Sequence, residues 1–189
     1  MLTALLVASA LNIFAAAGAE PSLAVEKVLA YLNDHKEQHK LDDPAQQLST
    51  ELEERDRGGI HVRLHQVHEG VMVRGTLISA WVLAGGTVDV VRLDTRKIAI
   101  KTTTPSVSRE RAYAIAVNDL KAAGGVSLET SATYLEIIPK GMNGMVVDTL
   151  VWTVSVSVDN DVETGVWAYT INATDGTIID HRKVMPVSD

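Results

Sequence analysis

The 189-residue sequence has no cysteine, which removes disulfides, thiolate metal sites, a cysteine nucleophile and lipidation at cysteine together. Stability has to come from packing. Basic clusters are lacking too. Seventeen Lys and Arg stand against twenty-four Asp and Glu, for a formal net charge of −7, and an acidic chain of this kind repels phosphate backbones and anionic lipid. No nucleic-acid partner is expected. Other absences bear on chemistry: no Gly-rich loop opens a helix after a strand, no nucleophile stands in a recognisable turn, and no His-Glu-x-x-His sequence occurs. His65, His68 and Glu69 supply those letters in the wrong order. Catalysis has no visible carrier, so the chain is expected to be no enzyme and to need no cofactor or metal.

Charge is also absent from residues 1–19, which are apolar through Ala17 and close on Ala17-Gly18-Ala19, the small-x-small pattern of a signal-peptidase site. The expectation is a secretory signal, a mature chain starting at Glu20, a secreted or periplasmic location and no membrane association after cleavage.

What is present reads as alternating helical and extended segments. Val25, Val28, Leu29 and Leu32 fall at i, i+3, i+4 and i+7, predicting a helix from near Ser22 to about Lys40, with Pro44 closing that unit. Residues 42–58 are polar and predict a solvated connector with one or two helical turns. From Ile60 the period becomes two: Ile60, Val62, Leu64 and Gln66 point one way, His61, Arg63, His65 and Val67 the other. Turns at Glu69-Gly70 and Gly85-Gly86 then make an antiparallel meander to Leu93. After the punctuation of residues 102–106, a helix is predicted over Ser108–Ala123 with Ala112, Ala116 and Leu120 on one face. Strands follow over 150–158 and 166–173, and Asp175-Gly176 turns the chain into a last strand ending near Lys183. The expected fold class is α+β, as two small units each with a helix packed on an antiparallel sheet, joined near residues 95–106.

The histidines draw attention first. Along a strand His61 and His65 stand about 13 Å apart, too far to share one metal ion, and Arg63 between them adds a repulsive cation. His35 and His39 have helical spacing but lysine neighbours and no third ligand. Asp159, Asp161 and Glu163 alternate, yet the Gly and Glu that complete a calcium loop are missing, which leaves a charged hairpin tip. Asn172-Ala173-Thr174 is a glycosylation sequon only in a host that glycosylates.

With these residues in place, a resemblance emerges. His61, Val62, Arg63, Gln66, Gly70, Val71, Val73 and Gly75 resemble the strand-turn-strand motif of fungalysin/thermolysin propeptides, usually HVRFQQxYxGVPVxGG; Leu64, His65 and Met72 depart from it. Residues 107–183 resemble the PepSY module that follows it in those propeptides: Ser108, Glu110 and Ala112 at the helix start, then Leu150–Val156, then Trp167, Tyr169, Ala173 and Gly176. The resemblance implies residues 1–19 as signal peptide, 20–100 as a propeptide unit of the first type and 101–189 as a PepSY-like unit with a short tail, free-standing, without a peptidase domain. Such propeptides chaperone and inhibit the peptidase they precede. The implied partner is a thermolysin-like zinc metallopeptidase, bound, inhibited or helped to fold in trans. The partner-binding residues expected are His61, Arg63 and His65 on the strand, and Val184, Met185, Pro186 and Val187 in the tail. Alternatives are a degenerate or truncated zymogen remnant, or an envelope module whose PepSY half takes another partner.

The signal reading makes a direct prediction. Mass spectrometry of the exported protein should find Glu20 at the N-terminus, and recovery of only the full-length chain from the cytosol would refute it.

Overall fold

The computed structural model describes residues 21–124, 128–142, 145–159 and 164–185. The expected signal segment, the acidic tip around Asp161, and Pro186 and Val187 lie outside them.

Helix α1, Leu23–Asp34, starts where the sequence places it: the Ser22 side chain accepts the Val25 amide at 3.3 Å. Ala24, Val25, Val28 and Leu32 bury its apolar stripe. It ends at Asp34, six residues short of Lys40, because residues 33–40 contain nothing apolar to hold them on the core. Pro44 opens a second element instead of closing the first. It begins the single turn α2, Pro44–Gln47, where its missing N–H costs nothing and Asp43 accepts two amides.

The polar connector is also a strand. Residues Leu48–Arg55 form β1, antiparallel to β2, Gly59–His68. Of the β1 side chains only Leu48 is buried, so no period-two apolar signal marks it. The rest of the meander comes out as expected: β3 is Val71–Val73, β4 Leu77–Leu83 and β5 Val88–Asp94. Helix α3 spans Arg109–Gly124, with Ser108 accepting the Arg111 amide. It is followed by β6 (Leu128–Met142), which the sequence reading did not single out, then β7 (Met145–Asp159), β8 (Thr164–Asn172) and β9 (Ile178–Met185).

Among the described residues these strands make one sheet in the order β5-β4-β2-β3-β6-β7-β8-β9, with β1 paired to β2 off this path. The expected two helix-on-sheet units are therefore not clearly set apart: the chain is mostly sheet, 49% strand against 22% helix, with its apolar clusters under α1 and α3 on one continuous sheet. The reason lies at Val73. Strands β3 and β4 pair with successive segments of β2, and between them Arg74, Gly75 and Thr76 break the ladder. Gly75 sits at φ +80°, which a side chain would strain. Thr76 repairs the break: its hydroxyl donates to the Val73 carbonyl at 2.7 Å and accepts the Gln66 amide at 3.1 Å. Freed of β4, strand β3 turns its other edge to β6 and pairs with it in parallel, Met72 opposite Glu136 and Val73 opposite Ile137.

Register decides which face is covered. Val62, Leu64, Ile78, Ala80 and Val82 pack under α1 in one apolar cluster. His68 lies opposite Val71, so Val71 and Val73 continue that same face, and Val73 joins Ile137, Leu150, Trp152, Val154, Tyr169 and Ile171 under α3. Both helices thus cover one side of the sheet. The segment joining the halves lies on that side as well. The Gln66 side-chain amide, 2% exposed, pairs with both backbone groups of Arg96 (2.7 and 3.1 Å), and Asp148 accepts from the Arg96 guanidinium and from the Ala99 amide. Thr103 donates to Glu69 at 2.6 Å, and the Ser106 and Val107 amides donate to Ala173.

The opposite face has one deeply buried charge. Glu136 is 1% exposed and pairs with Arg74, whose guanidinium also donates to the Thr153 hydroxyl. Arg74→Met would leave that carboxylate unpaired at the seam, so urea unfolding should show a loss of about 2–3 kcal/mol with an unchanged m value. A cost under about 0.5 kcal/mol would mean the strand ladder alone joins the halves.

Candidate functional site

Opposite α1 and α3, the alternation of β2 puts His61, Arg63 and His65 on the second face of the sheet, where they are half-buried; farther along, that same face buries Glu136, Ile138 and Val151. The structure therefore brings these three expected binding residues together on one face. Each is already engaged. The His61 ring stacks on Trp81, which lies directly opposite it on β4, with centroids 4.8 Å apart, and its Nε2 lies 2.8 Å from the Ser79 hydroxyl. Arg63 and His65 share one carboxylate: Glu51 Oε2 lies 3.3 Å from Arg63 Nε and 3.1 Å from His65 Nε2. Glu51 reaches both because it occupies a bulge in β1, between Thr50 and Leu52.

The tail residues do not join them. Val184 and Met185 belong to β9, not to a free tail, because the ladder with β8 continues until Met185 lies opposite Val166. Val184 occupies the bulge in that ladder and is exposed. Strands β3, β6, β7 and β8 separate β9 from β2, so Val184 and Met185 lie apart from His61, Arg63 and His65.

Two clusters escaped the sequence reading. On the second face Arg74, Glu136, Thr153 and Tyr134 gather at the seam, and burial, followed by the nearby Glu136 carboxylate, raises the Tyr134 phenol above its usual range. A lone acid inside the apolar run Tyr134–Ile138 was the available signal. At the far side Tyr169, buried under α3, donates its hydroxyl to Asp119 at 3.0 Å, and the His181 ring lies 5.4 Å from the Tyr169 ring. Burial first, then the bond to Asp119, hold that phenol protonated well beyond the ordinary tyrosine range. His35 and His39 lie in turns just past α1, yet the His39 amide still donates to the His35 carbonyl at 3.2 Å and their rings stand 6.1 Å apart. The His35 ring binds the Tyr31 carbonyl, and His39 is held below its usual basicity by burial and then by His35.

Each of these charged groups serves a structural contact, and the buried acid is neutralised by an adjacent guanidinium. Among the described residues no group of three or more His, Asp or Glu is placed to hold a metal ion, and no helix is long and apolar enough to cross a membrane. Around Trp81 this face presents half-buried rings and mixed charge.

Residues 106–182 match the PepSY family, described as peptidase propeptide and YPEB domain. The matched stretch begins just before α3 and ends in β9. Among solved structures, the Bacillus megaterium YpeB C-terminal domain is similar at 19% identity and a TM-score of 0.36, over 88% of this chain. The chain spans 66% of that structure's length. No curated protein matches.

The engaged histidines make a prediction about metal. Zinc titration followed by calorimetry should show no site tighter than adventitious imidazole binding, and a micromolar site lost in a His61→Ala/His65→Ala variant would overturn it.

Proposed function

We propose that this chain is a secreted, non-catalytic propeptide-like protein that binds a thermolysin-like zinc metallopeptidase in trans and either inhibits it or assists its folding. The observation that carries this reading is the PepSY match over residues 106–182. The matched stretch takes in α3 and β6 to β8 and most of β9, the elements that build the apolar cluster under α3 together with Val73 of β3. The first half adds surface to that stretch: the face around His61, Arg63, His65 and Trp81 continues across the seam onto Arg74 and Tyr134. A surface built on strands keeps its shape on binding, which limits the ordering cost of association. Export, by the uncharged first nineteen residues, would place the chain where such peptidases mature.

The physical division of labour follows from the scaffold. Trp152 is a core residue: it packs under α3 and its indole donates to the Val107 carbonyl at 2.7 Å. It holds the fold and touches no partner. Since β9 runs to Met185, the segment that would enter the partner's cleft is 186–189, with Pro186 unable to continue a ladder.

Inhibition of a thermolysin-like peptidase by the chain from Glu20 onward tests this. Deleting residues 186–189 should weaken inhibition about tenfold or more and leave circular dichroism and Tm unchanged, as for loss of a single anchoring segment. Trp152→Ala should cost about 3–5 kcal/mol of stability and lower Tm by several degrees. Equal inhibition by parent and truncated chains would remove the cleft-blocking role and leave docking through the sheet face. No binding to any such peptidase, by either chain, would refute the reading.

A further inference from the structure

The ring of His65 is held between two oxygens. Its Nδ1 lies 2.9 Å from the Thr76 carbonyl, and its Nε2 lies 3.1 Å from the Glu51 carboxylate. Both oxygens are acceptors only. A carbonyl and an ionised carboxylate have no proton to give, so the ring must donate from both nitrogens, and only the imidazolium does that. In the neutral ring one nitrogen keeps its proton for Thr76, and the lone pair of the other then faces the Glu51 carboxylate.

The strand on the other side of that contact is poorly anchored. Past Leu48, β1 buries no side chain, and its sequence from Glu51 to Arg55 is acidic. Glu51 interrupts its ladder with a bulge, and Glu54 lies opposite His61. The cationic row of β2 is thus the counterpart of the acidic row of β1. Arg63 supplies the part of that attraction that does not titrate.

We propose that His65 and Glu51 form a pH-responsive clasp that sets how firmly the edge strand β1 is held on the sheet. The groups facing it are Glu51 and Glu54 from β1 and His61 and Arg63 from β2; β4 contributes the neutral Ser79, Trp81 and the Thr76 carbonyl beside it. The sign follows from the two partners. The clasp is closed while the imidazole is cationic and the carboxylate ionised, and it opens as pH rises and the ring gives up its proton. On the acid side it opens when Glu51 takes a proton up. Opening leaves Arg63 to hold β1 and loosens the cover over the β2 groups between Ile60 and Gln66.

Amide exchange followed by NMR reads this directly, with protection factors corrected for the intrinsic pH dependence of exchange. Between about pH 5.5 and about pH 8.5, β1 amides should lose about threefold to fivefold in protection while those joining β4 to β5 do not change. His65→Gln and Glu51→Gln should abolish the difference, and His61→Gln should keep it. Nitrogen shifts of the His65 ring in the parent, which need no variant to fold, should show both nitrogens protonated at about pH 5.5 with β1 ordered. Unchanged β1 protection across this range, a difference that persists in both clasp variants, or a singly protonated His65 ring at the acid end would each overturn the proposal.

Discussion

The architecture depends on the interruption at Arg74–Thr76. A continuous strand there would pair with β2 along its whole length and offer its other edge to a single neighbour. Because Gly75 takes a left-handed conformation and Thr76 replaces the missing ladder partners with its hydroxyl, the strand divides, so that β4 serves β5 and β3 serves β6. The parallel contact so made is only two residue pairs long, extended by the Arg74 amide on the Ile137 carbonyl at 2.9 Å. A ladder that short needs side-chain support, and the same Arg74 gives it through the buried Glu136.

The seam is closed from the helix side by polar contacts, although Nε and Nη2 of Arg96 are buried there without a partner among the described residues. Gln66 is a buried amide whose oxygen and nitrogen are both used by the backbone of Arg96, and Asp148 takes the Arg96 side chain and the Ala99 amide. Such groups are costly to bury unpaired and specific when paired. They span what the sequence presents as a joint between two units.

How the sheet meets a partner is constrained by its edges. β1 is acidic and bulged at Glu51, β5 opposes β4 through a bulge beside Ser79, and the β8–β9 ladder is bulged twice with Asp180, His181 and Arg182 exposed along it. Bulges and charges of this kind discourage addition of a foreign strand. The acidic side chains of β1 face the cationic ones of β2, and its backbone pairs with β2 along the ladder.

Much was legible in the sequence because it is set by local period. The stripes of α1 and α3, the caps Ser22 and Ser108, the alternation of β2, β7 and β8, and the turns at Gly70, Gly86 and Gly176 follow from spacing and backbone preference, which act over a few residues. So does the sorting of His61, Arg63 and His65 onto one face. Strand β1 was not legible, since a strand exposed on both faces writes no alternation, and it is an edge strand only because β2 offers it hydrogen bonds. The reach of α1 was overestimated for the converse reason: residues 33–40 have helical composition but no core to lie on. The pairing of β3 with β6, the meeting of Arg74 with Glu136 across sixty-two positions, and the capture of His65 between Thr76 and Glu51 belong to tertiary structure alone. Contacts between distant segments leave no period in either segment, so only the folded chain decides them.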